Sequence, residues 1–132
     1  PIGQMIAKLK DEGELTFSIL IKGLSVGNLL FFENALANIA GIPPENVKKL
    51  LWGSPGDKGF RAIYEKCEFP ESMMEAMWEL IRIVRTERQR ESEESLTQRI
   101  HHSLMRASQA QHIRNLDYLV TIVAHNLRKL KK

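Results

Sequence analysis

Glycine and proline punctuate residues 1–70 so often that no segment between them is longer than about three helical turns. Within each segment the apolar residues recur at helical spacing, and no stretch alternates strictly between apolar and polar. The elements are therefore short amphipathic helices, and β-structure has little support. Met5, Ile6 and Leu9 share a face of a helix expected over 4–12, which Gly13 stops. Thr16 is the expected N-cap of a second helix carrying Ile19, Leu20, Gly23 and Leu24. After Gly27, Asn28 caps a third with Leu29, Phe32, Leu36 and Ile39 that stops at Gly41. Pro43 and Pro44 before Glu45 suit a helix start, since proline has no amide proton to leave unsatisfied there and a carboxylate meets the positive end of the dipole. Val47, Leu50 and Leu51 form the apolar face of that fourth helix. The break Gly53-Ser54-Pro55-Gly56 precedes a fifth, which Asp57 is expected to cap and which carries Phe60, Ile63 and Tyr64 and closes at Cys67.

Phe69-Pro70-Glu71 repeats the start signal, and Met73, Met74, Met77, Trp78, Ile81 and Val84 mark a longer helix running to about Arg90. The charged stretch from Arg85 to Ser95 reads either as solvated helix or as a connection. Ser95 with Gln98 resembles a capping box, placing a helix that carries Leu96, Ile100, Leu104 and Ala107. In the final helix Ile113, Leu116, Val120, Val123, Leu127 and Leu130 alternate spacings of three and four, a heptad seam. Its simplest partner is the Leu96 to Ala107 helix, packed antiparallel. A second copy of the chain would serve as well, which makes these six residues the expected interface of a homodimer.

Shifting the chain by 27 residues aligns Ala35-Leu36 with Ala62-Ile63 and Ile42-Pro43 with Phe69-Pro70, and it sets Val47, Leu50 and Leu51 against Met74, Met77 and Trp78. The same shift backwards aligns Leu9 with Leu36 and Leu15 with Ile42. Short helix pairs cannot bury their apolar faces alone and must stack on neighbours. The expected fold is all-α: stacked helical hairpins of HEAT-like, α-solenoid type over residues 1–90, then a C-terminal helical hairpin or coiled-coil arm over 91–132 that packs on them or on a second copy.

The chain of 132 residues has the length of one folding unit, and its 43% hydrophobic and 27% charged residues are ordinary for a globular domain. Cys67 is the single cysteine, which excludes an internal disulfide and favours the reducing cytoplasm, with the thiol a small buried hydrophobe. The apolar stretch from Ile19 to Phe32 is interrupted by Lys22, Ser25 and Asn28, so no membrane span is expected. The start at Pro1 lacks a basic region before an apolar run and reads as a boundary within a longer protein rather than a signal peptide. A net charge of +3 is too balanced to argue for nucleic acid. Arg82, Arg85, Arg88 and Arg90, and the end Arg128, Lys129, Lys131 and Lys132, are read first as solvated faces and second as a phosphate-binding surface.

The string Leu9-Lys10-Asp11-Glu12-Gly13-Glu14-Leu15-Thr16, followed by Ser18-Ile19-Leu20, Phe31-Phe32-Glu33-Asn34-Ala35-Leu36-Ala37, Ala40-Gly41-Ile42-Pro43 and Gly59-Phe60-Arg61-Ala62-Ile63-Tyr64, resembles an alphaproteobacterial family of uncharacterised proteins, the domain-of-unknown-function family 2336. The resemblance covers roughly Ile6 to Ile83. It implies a helical, repeat-like cytoplasmic protein and supplies no activity.

No residue set specifies catalysis, a cofactor or a metal. His101 and His102 are neighbours and point about 100° apart on a helix, and His112 and His125 have no zinc spacing with Cys67. The string Ile100-His101-His102-Ser103-Leu104-Met105-Arg106 resembles the exposed-histidine helix of bacterial phosphorelay kinases, which makes His101 or His102 a candidate phosphoacceptor. The Asn or Pro expected after the histidine is missing. Lys58 and Gly59 after Gly53 and Gly56 lack the spacing of a phosphate loop. Glu71, Glu75 and Glu79 read as solvated charge, and Trp78 among methionines as core or as the floor of a groove for a partner helix. The leading expectation is a non-enzymatic protein-interaction or scaffold module with a protein partner. A phosphotransfer domain using a surface histidine, and weak nucleic-acid binding through the basic helices, are the alternatives.

Overall fold

The computed structural model describes residues 1–130, without the side chain of Leu130. Among these residues there are eight α-helices and no strand: α1 (Ile2–Asp11), α2 (Phe17–Ser25), α3 (Leu29–Ala40), α4 (Pro44–Trp52), α5 (Lys58–Lys66), α6 (Met74–Arg88), α7 (Leu96–Ala110) and α8 (Leu116–Leu130). A turn of 3-10 helix, Glu71–Met73, leads into α6.

The helix starts follow the capping chemistry of the sequence at three places. Thr16, Asn28 and Ser95 each accept a hydrogen bond from the backbone N–H three residues on. Asp57 departs from expectation. Its side chain makes no cap bond, because its carboxylate is engaged by Arg61 Nε at 2.7 Å, one turn along α5. That pairing holds the Arg61 guanidinium above its ordinary pKa. The long helix also stops earlier than expected, at Arg88, and residues 89–95 form a connection.

Two glycines are required by close approaches. Gly27 sits at φ +80°, and a Cβ there would run into Leu96 Cδ2 at the start of α7. Gly59 brings α5 against the last turn of α4 so closely that any side chain would collide with the Leu50 carbonyl oxygen.

The helices pack largely in chain order. α1 and α2 lie on α3, α3 on α4 and α5, α5 on α6, α6 on α7, and α7 on α8. α8 also reaches α2 and α6, so one apolar cluster extends from Ile6 to Val123. Leu20, Leu24, Leu36, Val47, Leu80, Val84, Ile100, Leu104, Leu119 and Val123 are fully enclosed in it. Met5 and Leu50, expected on apolar faces, are instead exposed. Cys67 is buried as expected, and burial pushes its thiol up to about 11.

Aromatic rings fill the corner between α2, α5 and α6. Phe17, Tyr64 and Phe69 meet edge to face or tilted, and Phe60 stacks on Trp78 at 5.2 Å. The Tyr64 hydroxyl donates to the Pro70 carbonyl at 2.6 Å, and burial raises its pKa. Two residues after Pro70, the Ser72 carbonyl accepts from Nδ2 of Asn115, itself at φ +65°, at 2.7 Å, which ties the α7–α8 turn to the 3-10 turn.

The charged stretch before Ser95 is not solvated throughout. Glu87 is 4% exposed and lies at the centre of a clasp between α6 and α7. Arg90 Nη1 donates to both of its carboxylate oxygens at 2.8 and 3.0 Å, and Ser103 Oγ donates to one at 2.8 Å. The buried Arg99 donates from Nη2 to the Glu87 carbonyl and from Nη1 to the Glu94 carbonyl, with its Nε 3.5 Å from the Glu87 carboxylate.

Candidate functional site

The early end of α4 leaves Trp52 at the edge of the core, half-buried, with its indole facing α6. The indole is held from two sides. Nε1 donates to Glu33 Oε2 of α3 at 2.7 Å, a bond that also satisfies a carboxyl only 8% exposed. The guanidinium of Arg85 lies over the ring, 4.5 Å from its centroid. Two cavities open beside this stack. One, of about 380 Å³, runs between the Gly53–Gly56 break and α6 and is lined by Trp52, Trp78, Arg82, Arg85, Thr86 and Gln89 among others. The second, of about 390 Å³, is lined by Leu29, Trp52, Arg85, Arg88 and Gln89. Trp52, Arg85 and Gln89 line both, so the cavities adjoin on either side of the stacked pair, Trp78 bordering the first and Arg88 the second, and together they make up the groove.

Its polar chemistry comes from α6. Arg82, Arg85 and Arg88 follow at intervals of three, each advancing about 4.5 Å along the helix. Arg82 is loosely paired with Glu79 at 3.5 Å. Among the described residues Arg85 and Arg88 form no ion pair. The groove thus offers two unneutralised guanidinium groups beside two indole rings, Trp52 fixed by Glu33 and Arg85 and Trp78 fixed by its stack on Phe60. Such a site recognises oxygen anions and flat apolar groups. The sequence signals for it were Trp78 and the cluster Arg82, Arg85, Arg88 and Arg90, of which Arg90 pairs instead with Glu87. Trp52 carried no signal, because its role depends on a contact with Glu33 nineteen residues away.

The other sequence candidates lie elsewhere. His101 is half-buried and His102 exposed on α7, their rings 5.9 Å apart, and His102 Nδ1 is 3.1 Å from Glu94 Oε2. Among the described residues no three His, Cys, Asp or Glu side chains gather as a metal set would. Of the seam residues, Leu116 and Val123 are buried within the chain, and Ile113 and Val120 pack against the same core. Leu127 is half-buried, and the Leu130 side chain lies outside the described residues. Leu119, which the heptad pattern omits, is fully buried. Ile113, Leu116, Val120 and Val123 thus pack within the chain itself. Arg128 and Lys129 are exposed, and Lys131 and Lys132 lie outside the described residues. Among the described residues no helix is long and apolar enough to cross a membrane.

A model of the family DUF2336, described as an uncharacterised protein conserved in bacteria, matches residues 1–116. The match includes α6, the clasp and α7, well past Ile83. No curated protein matches the chain. No solved structure matches it either.

Proposed function

The chain belongs to DUF2336, a family of uncharacterised proteins conserved in bacteria, and from the geometry of the groove we propose that it is a non-enzymatic interaction module that holds a protein partner against Trp52 and the arginine face of α6. One observation carries this reading. Arg85 and Arg88 line preformed cavities beside a fixed indole and have no ion-pair partner among the described residues. Arginine and tryptophan are the residue types that most often anchor protein interfaces, and here both are held in place before any partner arrives.

The stacked-hairpin arrangement belongs to the same proposal. Contacts between α1 and α3 and between α3 and α5 support a reading in which first helices of successive pairs lie side by side. In this reading the groove lies where the α4–α5 break meets α6.

A photo-reactive amino acid placed at Gln89, which lines both cavities, tests the proposal in a bacterium that carries the protein. The same probe at exposed Lys8 of α1 is the control. The expected result is a discrete protein adduct at position 89 that is missing at position 8 and is suppressed by R85E. Adducts at position 89 to nucleic acid or lipid alone, or no adduct, would overturn it.

A further inference from the structure

The chemistry of the groove also selects the class of partner, an inference that rests on the interaction-module reading above. We propose that the groove takes a short acidic segment of the partner protein, with carboxylates paired to Arg85 and Arg88 and an adjoining apolar side chain laid between Trp52 and Trp78.

Charge sets the sign of the ligand. Two exposed guanidinium groups, Arg85 and Arg88, line one of the cavities with no carboxylate partner among the described residues, and the Glu33 carboxyl beside them is 8% exposed and turned onto Trp52 Nε1. The planar guanidinium fork takes the oxygens of a carboxylate, as of a phosphate, in a bidentate pair. The rise of about 4.5 Å between Arg85 and Arg88 is close to the spacing of side chains one helical turn apart on a partner helix. Arg82 is already paired with Glu79, which leaves Arg85 and Arg88, a span of about one helical turn, and so short a run suits a short anionic segment better than an extended polyanion. Trp52 borders both cavities and Trp78 the first, an apolar floor which a peptide side chain fills and an inorganic anion does not.

Trp52 and Trp78 are the only two tryptophans in the chain, and both line the groove. Intrinsic tryptophan emission of the whole chain therefore reports on this site alone. It is titrated with a short oligoglutamate peptide carrying one leucine, with an oligothymidylate of equal charge, and with inorganic phosphate. The expected result is a saturable change with the peptide, weaker responses to the other two, and a loss of affinity of about tenfold or more in R85E and in R88E. R85K keeps the charge and removes the fork and the planar stack, so an affinity between those of the parent and R85E is expected. Circular dichroism on each variant establishes that the helices are retained. An equal or stronger response to oligothymidylate overturns the proposal, as does a peptide response that R88E leaves unchanged. If a protein adduct still forms at Gln89 while the acidic peptide fails, the module reading stands and the acidic preference falls. If the adduct is missing as well, both fall.

Discussion

The two sides of α6 treat the same chemistry in opposite ways. Glu87 stands two residues after Arg85, a turn of about 200° around the helix. On Glu87's side the charge is enclosed: Arg90 and Ser103 supply its hydrogen bonds, and Arg99, bonded to the Glu87 backbone carbonyl, sets its Nε 3.5 Å from the carboxylate. On Arg85's side the charge is exposed and has only an indole beneath it. The contrast teaches that an arginine in this fold is structural where the chain supplies its anion and available where the chain withholds it. A count of charges along the helix does not distinguish the two. The buried set is the one that depends on its pairing, because an unpaired charge away from water costs several kcal/mol, although Arg99 Nε itself has no hydrogen-bond partner among the described residues.

Breaking the buried side should have the largest effect. E87A leaves Arg99 enclosed without its anion, and a loss of about 3–5 kcal/mol is expected in urea denaturation. Adding R99M removes the orphaned charge and should recover part of that loss. A cost for E87A below about 1 kcal/mol would mean that the clasp does not hold α6 to α7. Alkali sharpens the comparison because it spares every arginine. The Cys67 thiol is raised from near 9 to about 11, so its contribution is complete below pH 9 and is lost as pH rises towards 11, with Tyr64 adding to the loss at still higher pH. The stability difference between the parent and C67A should change by about 1–2 kcal/mol over that window, with the parent losing more. Next in size is S95A, which removes the cap that begins α7 just after the clasp and should cost about 1 kcal/mol. The smallest change is expected on the open side, where R85E and R88E should alter stability by less than about 0.5 kcal/mol while they weaken binding of the acidic peptide by about tenfold or more. A destabilisation by R88E as large as that of E87A would erase the distinction between the two sides.

Much of the fold was legible because its signals are local. The caps at Thr16, Asn28 and Ser95 and the short apolar stripes between glycines depend on residues within a turn or two. The clasp was not legible, because Glu87 draws on Arg99 and Ser103, twelve and sixteen residues away across a connection, and a charged run reads as solvated until its partners are placed. Asp57 had the right residue type for a cap, but a nearby guanidinium competed for its oxygens and won. The heptad spacing found the face of α8 only approximately. That helix packs against α2, α6 and α7 rather than along one straight seam, and a wider stripe that includes Leu119 is buried. The arginines of the groove were visible as a cluster, and Trp52, which gives them a floor, was not.

The seating of α8 on α2 has a consequence for the order in which the molecule is made. Roughly ninety residues separate the two helices in the chain. Contacts this distant in sequence are late to form, because the ends of a long loop must be brought together before any reward is felt. On a ribosome adding about 5–20 residues per second, α2 would wait several seconds for the helix that covers it. During that interval an apolar strip of the nascent chain faces the cytosol or a chaperone. A synonymous change that slows translation between α2 and α8 would lengthen the wait without altering a single contact in the finished protein.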